Sequence, residues 1–360
     1  MKKVTIQDIA KELNIAFSTV ARALNDHPAI SEGTKKLVRE TAQKLNYRQN
    51  KLASSLRSGH SYTIGIIIPS LDVSFFSSVV HGIEKIMNEN GYSILLYQSN
   101  ESFESEKKGI ETFLNSRVAG IIASVAKETT RYEHFSEIQK RKIPLLFFDR
   151  IAEALQVPSV TIDDYKGGFL ATEHLIRQGY KRIVHITAGQ TIGIFKERLR
   201  GYVDALKLYD LPVDENLILY GDFSLDFGRQ CVKKLYQQKV AFDAVFALED
   251  YTAMGVLRQL LDYKVQVPEE VGVIGFANES FGALVTPGLS TIDQQTVPMG
   301  EAAAKLFLKM LRSEDLYNNL PERIVLDPHL IVRGSTDRLA SSWMHLRNSP
   351  ETGTPEEQFL

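Results

Sequence analysis

Residues 16–26 read AFSTVARALND: one arginine, no proline, no glycine, and small polar side chains at the front. The eleven residues are helical in composition, and the predicted helix, about Phe17 to Leu24, buries Val20, Ala21 or Ala23, and Leu24. Phe17, Ser18 and Arg22 are left on the outward face. A solvated face gives an exposed Phe17 no purpose, so the stretch is read as facing something other than its own core. Upstream, Thr5 is placed to cap a short helix from Ile6 to Leu13 with apolar positions Ile9, Ala10 and Leu13, ended by Asn14. Downstream, Ser31 followed by Thr34 opens a third helix with the apolar face Leu37, Val38, Ala42 and Leu45. Three short helices, the first two joined by a tight turn, make a helix-turn-helix, a unit that lays its second helix in the major groove of DNA.

Charge agrees with that reading. The net charge of −2 over 360 residues hides an asymmetry. Residues 1–60 carry eleven Lys/Arg against five Asp/Glu, a balance of +6 that leaves −8 for the rest. A basic end on an acidic body fits contact with a polyanion through that end, because neutralising phosphates is the sequence-independent part of nucleic-acid binding. The chain is too long for one core, so at least two domains are expected. Cys231 is the only cysteine, which excludes an internal disulfide framework and fits a reducing compartment. The first 25 residues lack the apolar run of a secretory signal, and IGIIIP at 64–69 is too short to span a bilayer, so a cytoplasmic protein is expected.

With these motifs in place, the chain resembles the lac repressor/galactose repressor family of bacterial transcription regulators. The likeness is carried by VTIQDIAKELNIAFSTVARALNDHPAISEGTKKLVRETAQKLNYRQNKLASSLRSG (4–59), GGFLATEHLIRQGYKRIVHI (167–186), ERLRGYVDAL (197–206), VPEEVGVIGF (267–276) and TPGLSTIDQ (286–294). It implies that Phe17, Ser18 and Arg22 read bases, that Thr19, Asn25 and Thr34 contact or support the phosphate backbone, and that Thr5 belongs to the DNA-binding set. It also implies a hinge helix over NKLASSLRS (50–58), with Leu56 as a minor-groove wedge, Arg57 beside it, and Asn50 and Ala53 near the backbone. Ala16 and Ala21 stand where the family commonly has serine, and Gln49 where it often has proline.

The body alternates short apolar runs with amphipathic stretches, the mark of parallel sheets buried on both faces. Strands are expected at 63–69, 93–97, 118–124, 144–148, 159–162, 182–187, 217–220, 243–247 and 271–276. The fold class is α/β: an N-terminal all-α helix-turn-helix module (1–48), a hinge and linker (49–60), and two doubly wound parallel-sheet subdomains resembling periplasmic sugar-binding proteins (61–339). Subdomain one takes about 61–162 plus 293–323, and subdomain two about 163–292 plus 324–339. Residues 340–360 are expected to be a mobile tail. Ligands of such sheets sit beyond the strands' carboxyl ends, so an effector site is expected in the cleft, formed by Phe75, Phe76, Asp149, Arg198, Phe223, Glu249, Asp250 and Asn278. Ala277 and Glu249 depart from the family, which usually has aspartate and asparagine there.

No phosphate loop, nucleophile elbow or metal motif is present, so neither catalysis nor a cofactor nor a metal is expected. The doubled glycine at 167–168 is explained by close packing. The expected function is a homodimeric, effector-controlled DNA-binding regulator, a repressor of carbohydrate-use genes, with a pseudo-palindromic DNA operator and a sugar as partners. The rival readings are a solute receptor without DNA function, and a regulator with a purine-like effector.

Overall fold

A computed structural model describes residues 4–24, 26–47, 61–189, 193–313, 315–318 and 320–338. The expected hinge and tail, with Asn25, Asn50, Ala53, Leu56 and Arg57, lie outside the described residues. The chain divides into two compact units, residues 1–62 and 63–360.

The first unit is three helices: α1 (Ile6–Leu13), α2 (Phe17–Leu24) and α3 (Glu32–Lys44). Asp8 starts α1 by accepting from both the Thr5 backbone N–H (2.8 Å) and its hydroxyl (2.7 Å). Asn14 then takes a left-handed φ of 49°, which ends α1 and turns the chain into α2. Ser31 caps α3 by accepting from the Thr34 N–H. Ile9, Val20, Ala23, Val38 and Ala42 make the core, at helical spacing on all three elements. Leu37, expected in that core, is instead 50% exposed. It lies one position from Val38, about 100° round the helix, and so leaves the buried face.

In the second unit, a six-stranded parallel sheet has the order β11-β5-β4-β3-β1-β2, with β1 Thr63–Ile68, β2 Ser93–Gln98, β3 Ile121–Ala123, β4 Leu145–Phe148, β5 Ser159–Ile162 and β11 Arg323–Leu326. A four-stranded parallel sheet follows as β7-β6-β8-β9: β6 Ile183–Thr187, β7 Ile218–Tyr220, β8 Ala244–Ala247 and β9 Gly272–Ile274. An antiparallel pair, β10 (Thr291–Asp293) with β12 (His329–Ile331), joins the second half through a bridge from Ser290 to Ile274. Alternation along β1 shows why its sequence is continuously apolar: Ile64, Ile66 and Ile68 enter one core and Ile67 the core on the other face.

Helices cover both faces. On the first sheet, α4 (Ser74–Glu89) and α11 (Thr296–Leu311) lie on one face, and α5 (Phe103–Asn115) and α6 (Glu133–Lys140) on the other. On the second, α9 (Leu225–Gln237) and α10 (Asp250–Asp262) lie opposite α7 (Asp164–Arg177) and α8 (Gly193–Leu208). The 167–168 glycines are packing devices: a Cβ on Gly168 would stand 2.2 Å from the Arg198 carbonyl oxygen of α8, and one on Gly167 2.7 Å from the Phe276 ring. Among the described residues, no helix is long and apolar enough to cross a membrane.

The boundary expected at residue 323 needs correction. Strand β11 pairs with β5, Ile324 opposite Val160, so 324–326 belong to the first half, and the chain returns to the second only at 327–328. A short strand at the end of a long polar connection carries little apolar periodicity, and its parallel partner is far away in sequence. The chain thus passes between halves three times: after β5, after β10 and after β11.

Candidate functional site

Two surfaces follow from this architecture, one on each unit. On α2, Phe17 is 55% exposed, Ser18 and Arg22 are exposed, and Thr19 is half-buried. Among the described residues no side chain caps this helix: Ala16 offers only its carbonyl, to Thr19 and Val20. Thr34 is half-buried, its hydroxyl 2.9 Å from that of Ser31. The module therefore presents a cation, a hydroxyl and a ring on one helical face, the donor and apolar set that reads base edges.

In the second unit a cavity of about 750 Å³ opens between the halves. Its wall from the first half includes Lys127, Asp149, Arg150 and Thr161, and its wall from the second Asp164, Tyr165, Lys196, Glu197 and Arg200. These stand beyond the carboxyl ends of β3, β4 and β5 and at the start of α7 and α8, where parallel sheets place ligands.

Asp149 follows β4 directly and takes a left-handed φ of 58°. Its side chain is 95% buried, yet among the described residues its carboxylate receives no hydrogen bond, and the nearest cation, Arg150 Nε, is 3.8 Å away. Burial pushes its carboxyl up to about 7, against the opposing pull of Arg150. Arg150 donates Nη1 to both Glu101 oxygens (2.9 and 2.8 Å), while its buried Nε makes no hydrogen bond. A buried carboxylate without donors, lining a cavity, awaits a hydrogen-bond donor from a ligand.

The other expected effector contacts are placed differently. Phe75 and Phe76 are 5% and 3% exposed and pack edge to face at 5.0 Å within the core of the first half. Glu249 caps α10, accepting from the Tyr251 and Thr252 N–H groups at 2.8 and 2.6 Å. Asp250 is fully buried and accepts from the Glu279 N–H and the Thr291 hydroxyl, both at 2.7 Å. Asn278 accepts from Arg333 (2.8 Å) and donates to Asp293 (3.2 Å). Arg198 is 3% exposed and tied to Asp164 at 2.8 Å. Phe223, half-buried, packs on Phe195 with ring centres 5.0 Å apart. Of the eight expected residues, only Asp149 lines the cavity.

Sequence reading missed the groups that position the wall. Glu106, fully buried on α5, accepts from the Ala126 N–H (2.7 Å) and the Thr129 hydroxyl (2.7 Å) and lies 2.8 Å from His134 Nε2, which fixes the loop after β3. Ser74 donates to Glu279 across the cleft. A glutamate alone inside an amphipathic helix looks like surface, so only its position on the apolar face of α5 hinted at burial.

A helix-turn-helix with an exposed reading face, followed by a two-lobed α/β body with a ligand-sized cleft, defines a ligand-responsive DNA-binding protein. Residues 5–50 match the family described as bacterial regulatory proteins, lacI family, and residues 61–320 the periplasmic binding proteins and sugar binding domain of the LacI family. The chain belongs to the LacI family. Catabolite control protein A of Priestia megaterium is 33% identical over 326 residues, 89% of this chain and 97% of that protein. The lac repressor dimer bound to operator and the anti-inducer ONPF superposes with a TM-score of 0.81 at 22% identity, covering 93% of this chain and 99% of that one. A LacI family transcriptional regulator from Enterococcus faecium with bound ribose gives a TM-score of 0.67 at 26% identity, covering 76% and 98%.

Proposed function

We propose that this protein is a cytoplasmic repressor that binds a pseudo-palindromic operator as a homodimer and is controlled by a sugar in the cleft between its halves. The carrying observation is Asp149: a buried carboxylate with no donor, facing a cavity built from both halves of a LacI-family body. Hydroxyl groups of a sugar are suitable donors, and the ribose-bound E. faecium regulator supports that class. A two-fold dimer places one α2 in each of two major grooves a helical turn apart. By its sequence match Leu56, outside the described residues, is assigned the part of the family's wedge, an apolar side chain that unstacks a central base step. Ligand that changes how far the halves close shifts operator affinity by about 1–3 kcal/mol of coupling.

The test is selection from random duplexes with the full-length protein, followed by binding to the selected palindrome and a scrambled one, with and without a panel of pentoses, hexoses and disaccharides. The expected result is preference for the palindrome, steep salt dependence and a shift with at least one sugar. Equal affinity for both duplexes overturns the repressor reading and leaves a solute receptor. A shift with purines but with no sugar overturns the effector class alone.

A further inference from the structure

We infer that Glu101 is a positioning residue for the cleft: it holds the Arg150 guanidinium off Asp149 and so keeps that carboxylate open to a donor from a ligand. The inference deepens the proposed sugar site and rests on that reading for its purpose.

Asp149 and Arg150 are adjacent in the chain, opposite in charge, and 5% and 8% exposed. Among the described residues the Asp149 carboxylate receives no hydrogen bond, and the buried Arg150 Nε makes none. The two groups stand 3.8 Å apart, a long ionic contact about an ångström beyond a charge-assisted hydrogen bond. A buried donor and a buried acceptor left in this way cost free energy that a small movement would recover, so something holds them apart.

Glu101 is placed to do so. It precedes Ser102, the N-cap of α5, and both it and Asn100 take left-handed backbone, with φ of 60° and 53°. Its carbonyl accepts from the Glu128 N–H at 3.2 Å and its carboxylate from the Lys127 N–H at 2.7 Å, which ties it to the loop after β3. The same two carboxylate oxygens share Arg150 Nη1 at 2.9 and 2.8 Å. A guanidinium is rigid and planar, so fastening Nη1 to this post also fixes where Nε can stand. Lys127, Asp149 and Arg150 line the cavity, whereas Glu101 does not, so it acts through Arg150. Without the post, Arg150 closes on Asp149 and occupies the acceptor that a sugar hydroxyl would use.

The test is a carboxyl titration of the full-length protein without ligand or DNA, so its outcome does not depend on whether any sugar binds. Aspartate is labelled with carbon-13 at Cγ, and the Asp149 resonance is assigned by its loss in Asp149→Asn. Glu101→Gln keeps an acceptor for the Lys127 N–H but loses the charge and the second oxygen that hold Arg150; it is compared with Arg150→Met and with the two changes together. Asp164 and Arg198, whose charges also act on Asp149, are the same in every variant. Glu101→Gln is expected to lower the Asp149 inflection by about 1–3 pH units, the effect of an arginine brought alongside. With Arg150→Met already in place, the same change is expected to move it scarcely at all, a coupling between the two positions that separate charges do not produce. An equal fall in both backgrounds is the lost Glu101 charge acting alone and overturns the inference, as does no fall in either. If Glu101→Gln fails to fold, Glu101→Asp decides, since it keeps the charge but draws it back by one methylene: an inflection unchanged from the parent's overturns the inference.

Discussion

Lys127 Nζ lies 4.9 Å from the centre of the Phe223 ring and 3.5 Å from the Asp222 carboxylate. Lys127 follows β3 in the first half, and both partners follow β7 in the second, so a single side chain spans the mouth of the cleft. Asp222 is 82% exposed, and such a pair contributes about 1 kcal/mol or less. Lys127→Met is therefore expected to shift the melting temperature little while opening the cleft, read as a larger radius of gyration by small-angle scattering. An unchanged radius removes Lys127 from closure.

Asp149→Asn is expected to stabilise the protein at pH 8. The Asp149 carboxyl is raised to about 7 by burial, and an unfolded aspartate titrates near 4, so the folded chain retains a proton that the unfolded chain releases. Its contribution is fully present below about pH 4 and is lost as pH rises toward and through about 7. The amide carries no such cost, for a gain of about 1–3 kcal/mol at pH 8 in chemical denaturation. Sugar binding by the same variant is expected to be abolished, the exchange of stability for function that marks a binding residue.

His185 governs the acid side. It is stacked between Tyr202 and Phe246, and burial pushes its imidazole down to about 3. The unfolded chain takes up a proton near pH 6.5 that the folded chain refuses, so this group lowers stability as pH falls from about 6.5 toward 3. His185→Phe is expected to flatten the stability profile between pH 6 and 4. A profile as steep as the parent's assigns the acid limb to other groups.

Gly168→Ala places a methyl 2.2 Å from the Arg198 carbonyl oxygen, backbone that cannot step aside without parting α7 from α8. A loss of about 1–3 kcal/mol is expected by denaturant titration.

Ala16→Ser supplies the missing cap of α2 and is expected to gain about 0.5–1 kcal/mol of helix stability, seen as slower amide exchange at Ser18 and Thr19. On the outward face, Arg22→Ala is expected to cost about 1–3 kcal/mol of discrimination at one base pair of each half-site. Base preference unchanged at every position would falsify its part in readout.

The nine expected strands lie within two or three residues of those observed, because a strand buried on both faces needs an unbroken apolar run, and a run such as TIGIII at 63–68 is visible without tertiary context. The helix-turn-helix was legible for the same reason, its caps and apolar spacing being local. Strand β11 was not: RIVL at 323–326 has a burial pattern that alternates and an edge position in the sheet, and its partner β5 is some 160 residues away.

The sequence by itself determined the three helices of the first unit, the nine strands buried within the two sheets, the doubly wound body, the face of α2 that carries Phe17, Ser18 and Arg22, and Asp149 as a carboxylate at a strand end. Only the tertiary structure decided what the remaining polar groups bind. Glu249, Asp250, Asn278 and Arg198 stand at the same kind of strand-end or helix-start position, yet one caps a helix, two brace loops and one ties the start of α7 to the residue after β10. Hydrogen bonds act over about 3 Å and are fixed by direction, so the partner of a buried polar side chain depends on which distant backbone is folded beside it.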